Sequence, residues 1–232
     1  KIFSNPNDCI FCHINYIFVK PSSNNFLYIA ASVRPSQPNN KTLEFEFKDY
    51  DPFFNINTPE DLELAKKIKL KKLFNYKIVS EDEFLNTKHK IKYAFIAIGQ
   101  IKKFSIRELQ FNKFKKLGFT FPILKSPNAY VSKNARIKAG TLIAHGCIIN
   151  SGASIGLNCI INNRALLDHD VIVENNCHIS TGALLNGGVT IKSGSFIGSG
   201  TVIRENITIG KNSIIGAGLT IKKNIKPFSL VK

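Results

Sequence analysis

The sequence predicts a mainly β fold: a parallel β-helix of hexapeptide repeats, about five coils long, preceded by a small α/β region. Every sixth residue from Val131 through Ile137 and Ile143 to Ile215 and Ile221 is aliphatic, sixteen positions without a break. Two residues before these lies a second, mostly small series that includes Ala135, Thr141, Cys147, Ala153, Cys159 and Ala165. Neither the 3.6-residue period of a helix nor the two-residue alternation of a hairpin strand gives a period of six.

One large and one small inward residue per hexapeptide makes each repeat a short strand and a turn, and three repeats close a triangular coil of about 18 residues. At roughly 4.8 Å per layer, the coils stack into a rod about 25 Å long. The small positions allow tight corners, and the aliphatic positions fill the prism.

Ahead of the rod, Leu43, Phe45 and Phe47 alternate as in a half-buried strand. Thr58-Pro59-Glu60-Asp61 reads as a capped helix start, with a helix expected from Pro59 to about Leu73. Ser80 to Glu83 is a capping box for a short helix, and the apolar run Tyr93 to Ile98, ending at Gly99, reads as a strand. Ser105 to Glu108 opens a further helix that should stop at Gly118, with Phe119 to Ala129 as the linker to the rod. The expected divisions are an α/β segment over 1–75, a partial, Rossmann-like α/β segment over 76–125 and the β-helix over 126–232.

The 232 residues carry a formal charge of +16. The lysines are spread along the chain rather than set in a stripe with interleaved aromatics, so nucleic acid is not an expected partner. A basic surface of this kind suits a polyanionic small ligand. No apolar run approaches the twenty residues of a membrane span, and the expectation is a soluble, cytoplasmic protein. Cys147, Cys159 and Cys177 fall on small lattice positions and read as core. Cys9-Ile10-Phe11-Cys12-His13 matches the short haem-attachment pattern but lacks an exporting context, and as a zinc half-site it lacks partners. Some hexapeptide rods bind zinc through three histidines, two of them close in sequence. His145, His169 and His178 include no such pair, and His13 and His89 lie off the rod, so no metal is expected.

Four stretches carry a likeness: Ala94 to Gly99, Asn162 through Leu167-Asp168-His169-Asp170, Cys177 to Ala183, and Ile209 to Gly218. Through them Tyr93 to Asn224 resembles the sialic acid O-acetyltransferase and nucleotide-aminosugar N-acetyltransferase family of bacterial sugar acyltransferases. That resemblance implies a left-handed β-helix, a homotrimer, acetyl-CoA as co-substrate and a sugar or nucleotide-sugar acceptor used in surface glycan biosynthesis. Phe53 to Leu62 resembles the last strand and helix of nucleotidyltransferases of the molybdenum-cofactor guanylyltransferase and sugar-nucleotide synthetase type.

Acetyl transfer from a thioester needs a base for the acceptor's proton and donors for the oxyanion. His169, just after inward Leu167, is the candidate general base. A carboxylate on its other ring nitrogen would fix the tautomer, with Asp170 first by family position and Asp168 second. The resemblance assigns His178 to the acetyl donor, and half a coil from His169 it would act from an adjacent subunit. It also gives Gly187 an oxyanion-side contact, Ser199 and Ala217 amides toward the pantetheine arm, and Asn162 and Gly99 places at the acceptor. The rival expectation is a non-catalytic trimeric scaffold, or a fragment without its acceptor site.

Overall fold

The structure, a computed structural model, describes residues 94–97, 99–100 and 105–232. For the earlier chain it describes the backbone of β1 (Asn15–Val19), β2 (Phe26–Ala30), β3 (Thr42–Glu44), β4 (Lys72–Leu73) and β5 (Tyr76–Ser80). β1 pairs antiparallel with β2 and parallel with β5, and β2 pairs with β6 (Ala94–Phe95). Strands from both expected α/β segments thus share one mixed sheet.

Leu43 lies in β3, as expected, and β3 pairs parallel with β7 (Ile123–Lys125). Lys72 and Leu73 are not a helix end: they pair antiparallel with Lys77 and Tyr76. Only two residues separate the paired strands in the sequence, and sheet pairing overrides the local helical pattern. The helix start at Thr58 to Asp61, Glu81 to Glu83 of the capping box and Cys9 to His13 fall outside the described residues, while Ser80, the expected cap, closes β5 opposite Phe18 of β1.

Helix α1 (Ser105–Lys116) ends at Gly118, whose φ of 87° lies in the left-handed region. Gly118 N–H bonds Lys115 O and Phe119 N–H bonds Phe114 O, closing a Schellman motif. The Phe114 and Phe119 rings meet edge to face at 5.4 Å, the apolar contact that accompanies it. Among the described residues no helix is long and apolar enough to cross a membrane.

Sixteen two-residue strands, β8 to β23, follow at six-residue steps from Tyr130–Val131 to Thr220–Ile221, each closing on one residue of the aliphatic lattice. They build three parallel walls of a left-handed β-helix. The first wall holds β7, β10, β13, β16, β19, β22 and β24 (Leu230–Val231). The second runs from β8 to β23 and the third from β9 to β21. Ile143, Ile149, Ile155, Ile161 and Leu167 are wholly buried, as are Cys147, Ala153, Cys159 and Ala165 of the small series. Burying each such isoleucine contributes roughly 1.5–3 kcal/mol.

The rod has about six turns rather than five. It gains length because β7, inside the expected linker, already pairs with β10, and because β24 stacks on β22 after 16 residues instead of 18, out of phase with the lattice.

Corners are set by backbone conformation. From Gly140 to Gly218 every sixth residue has positive φ, fourteen in succession. Twelve are Gly or Asn, the residues that adopt this region at least strain. The exceptions are Arg164 (φ 58°) and Asp170 (φ 59°).

The α/β region docks on the third–first corner through buried Arg107. Its guanidinium donates to the main-chain oxygens of Ile96, Asn158 (3.2 Å) and Gly140 (3.4 Å). Burial draws its pKa down to about 10, so it stays charged at neutral pH. Asn158 Nδ2 donates to Asn176 Oδ1, and Asn176 Nδ2 to Glu108 of α1.

Candidate active site

His169 stands at the corner between the second and third walls, with its side chain 65% exposed. Its Nδ1 lies 3.1 Å from Asp170 Oδ2. Asp168 points elsewhere: its Oδ1 accepts from the His169 main-chain N–H at 2.8 Å and from Asn150 Nδ2 at 2.9 Å. Of the two carboxylates offered by the sequence, Asp170 therefore touches the ring and Asp168 fixes the backbone beneath it. Both raise the His169 pKa, the Asp170 hydrogen bond contributing most and the Asp168 charge next. The Asn150 amide holds the Asp168 carboxyl below its usual range.

The carboxylate at 170 occupies a corner that favours glycine or asparagine. Its side chain lies over Gly152, one coil below, where a Cβ would collide with it. Gly187, one coil above His169, is buried, and a Cβ there would overlap His169 Nε2. Within the described residues no main-chain or side-chain acceptor engages the Gly187 N–H.

The remaining predicted residues lie across the second wall. His178 projects from the first wall, 8% exposed, with Nδ1 2.6 Å from Gln100 O and Nε2 3.4 Å from Asn162 Nδ2. Since a carbonyl only accepts, Nδ1 carries the proton, and Nε2 takes the Asn162 amide. Burial pushes the His178 pKa down to about 4, with the Arg107 charge acting the same way and the Gln100 bond opposing. The ring packs edge to face on Phe196 at 5.2 Å. Ser199 and Ala217 are exposed, stacked at the first–second corner, with Ser199 Oγ 2.9 Å from Ser180 Oγ. Gly99 is exposed beside Gln100.

One chain thus presents two groups: His169, Asp168, Asp170 and Gly187 at one edge of the second wall, and Asn162, His178, Ser199 and Ala217 toward the other. The wall between them is apolar outward, through Tyr130, Ile148, Leu166, Leu184 and Val202, and Tyr130 and Ile148 are 59% and 44% exposed.

Sequence reasoning missed Asn150, although its place 18 residues before Asp168 marks it as the stacked neighbour. It also missed Gln100, for which no spacing gives a signal. Among the described residues no three His, Cys, Asp or Glu side chains converge as a metal site.

Residues 188–223 match the family described as bacterial transferase hexapeptide (six repeats). No match to a curated protein sequence was found. Among solved structures, the chain is similar to a perosamine N-acetyltransferase variant from Caulobacter crescentus, in complex with CoA and GDP-perosamine, at 26% identity and TM-score 0.65, over 69% of this chain and 76% of that one. It is similar to the acetyltransferase domain of PglB from Neisseria gonorrhoeae in complex with acetyl coenzyme A, at 27% identity and TM-score 0.63, over 68% and 77%. WeeI from Acinetobacter baumannii, at 24% identity and TM-score 0.64 over 69% and 77%, shares the fold. What the chain carries is the hexapeptide repeat of the bacterial transferases, on a rod built like those of sugar acetyltransferases.

Proposed function

We propose that the protein is an acetyl-CoA-dependent acetyltransferase acting on a sugar, with an amino-sugar nucleotide favoured over a sialic-acid-like sugar as acceptor. The carrying observation is the His169–Asp170 pair at an exposed corner, with Gly187 leaving room for the ring. The similar structures support the substrates: one is in complex with CoA and a GDP-linked sugar, another with acetyl coenzyme A.

In this reading Asp170 holds the Nδ1–H of His169, leaving Nε2 as the proton acceptor. His169 Nε2 takes the proton of the acceptor amine or hydroxyl as that group attacks the thioester carbonyl. The Gly187 N–H stabilises the oxyanion. The same proton then passes to the departing thiolate, leaving free coenzyme A and the acetylated sugar, with no acyl-enzyme. Ser199 and Ala217 offer amides to the pantetheine arm.

The two groups of residues face away from each other in a single chain. Three copies packed about the apolar second wall would bring the His169 corner of one beside the Asn162 and His178 edge of the next. Burying a wall of this kind is the ordinary fate of a large exposed apolar patch.

Release of free thiol from acetyl-CoA, assayed over a panel of amino-sugar nucleotides, tests the reading. Turnover should appear with at least one acceptor and vanish in His169→Ala. Turnover unaltered in that variant sinks the mechanism, and a chain that binds no acetyl-CoA is the rival scaffold.

A further inference from the structure

Arg164 and Asp170 are the two corner residues between Gly140 and Gly218 that are neither Gly nor Asn. Strained positions of this kind concentrate where a side chain has work to do. Asp170 has its partner in His169. Arg164, six residues earlier on the same coil, stands at the opposite edge of the apolar second wall. Each lies over a glycine one coil below: Asp170 over Gly152, where a Cβ would collide with it, and Arg164 over Gly146, where a Cβ would make ordinary contact with its Cγ.

Arg164 borders a cavity of about 510 Å³ lined by Asn128, His145, Gly146, Asn163, Arg164 and Thr181. None of the six is acidic. The His145 ring is held by Ser126, whose Oγ lies 2.6 Å from Nδ1 and accepts the Asn128 N–H at 3.1 Å. The His145 N–H is taken by Asn163 Oδ1 at 3.1 Å. Around the cavity therefore stand an exposed guanidinium, an oriented imidazole, two amides and a hydroxyl, side chains of the kinds that recognise phosphate oxygens.

We propose that this cavity binds phosphate, and that the phosphate is the diphosphate of the nucleotide-sugar acceptor. The inference rests on the acetyltransferase reading for its ligand. Both co-substrates of that reading carry phosphates, and height along the rod separates them. The cavity occupies the coils from Asn128 to Thr181, level with His169 and toward the N-terminal end. Ser199 and Ala217, assigned to the donor, continue the same corner toward the C-terminal end. In a trimer about the second wall, the acceptor's diphosphate would sit on Arg164 of one copy with its sugar at His169 of the next.

Calorimetric titration of the full chain with GDP, UDP and coenzyme A tests the proposal, comparing the natural protein with Arg164→Gly and Arg164→Asn. Both substitutions install residues that the corner prefers, so melting temperature should hold or rise. At least one nucleoside diphosphate should bind the natural protein and lose affinity about tenfold or more in both variants, the loss expected for one charge-assisted hydrogen bond. Coenzyme A should bind all three proteins alike.

Equal nucleotide affinity in the variants, or no nucleotide binding by the natural protein, overturns the proposal. Weakened coenzyme A binding with nucleotide binding unaltered assigns the cavity to the donor and overturns it too. Failure of the acetyltransferase reading appears separately, as absence of thiol release.

Discussion

The imidazole of His169 lies over the backbone of Gly187, in the space that a side chain at position 187 would fill. The atom in the way is Nε2, the one assigned to take the proton. Gly187→Ala should therefore move the base and little else, because an exposed ring can swing aside. Turnover should fall about a hundredfold, as an ångström of misplacement does, with stability changed by no more than about 0.5 kcal/mol. Thiol-release kinetics beside a thermal melt measure both, and full activity in Gly187→Ala removes the glycine from the site.

Asp170 sets chemistry against stability. Asp170→Gly relieves a left-handed corner and should stabilise the rod by about 0.5–1 kcal/mol, while turnover falls because nothing orients the ring. Asp170→Asn keeps the shape but offers an amide N–H to Nδ1, favouring the tautomer whose Nε2 is protonated. Its turnover should fall by at least about a hundredfold. A destabilised Asp170→Gly in denaturant titration would contradict this account.

Proton uptake by His169 gives a pH signature. Its pKa is raised above the ordinary value by Asp170 and then Asp168, and only the neutral ring acts as base. kcat/KM should rise with pH through an apparent pKa above about 6.5. In Asp170→Asn the limb should move to lower pH while its plateau drops. A limb unmoved by the substitution would show that another group controls it.

His178 carries the opposite sign. Its folded pKa is near 4, below the unfolded value, so the unfolded chain binds the extra proton. This contribution is complete above about pH 6.5, shrinks as pH falls and levels off below about 4, for a loss on the order of 3 kcal/mol. Urea titrations between pH 7 and 4 should show that slope, and His178→Gln, which keeps both hydrogen-bond directions, should flatten it.

The second wall should carry assembly. Leu184→Glu places a charge in the middle of its apolar ladder while leaving inward Leu185 intact. Sedimentation of the natural protein should give a trimer and that of the variant a monomer, with turnover lost on dissociation. An active, monomeric Leu184→Glu would refute the composite site.

The rod was legible in the sequence because its neighbours are set by counting. Adding 18 to Asn150 gives Asp168, and adding 18 to His169 gives Gly187, so stacking follows from the period. Where counting stops, so does legibility. Gln100 reaches His178 across 78 residues, and Arg107 reaches Gly140 across 33, by packing of unlike elements that no spacing encodes. Lys72 and Leu73 carried helical patterning yet joined a sheet. The last coil went unseen because it is two residues short, with Phe228 in a left-handed corner.

Stacking by layers also distributes risk. Each coil is held by the one above and the one below, so loss of order starts at the ends and travels inward a layer at a time. The His169 coil has β11 and β8 beneath its second-wall strand, and β17, β20 and β23 above it. Fraying of a terminal layer would leave the His169 corner standing, insulated by the coils that flank it.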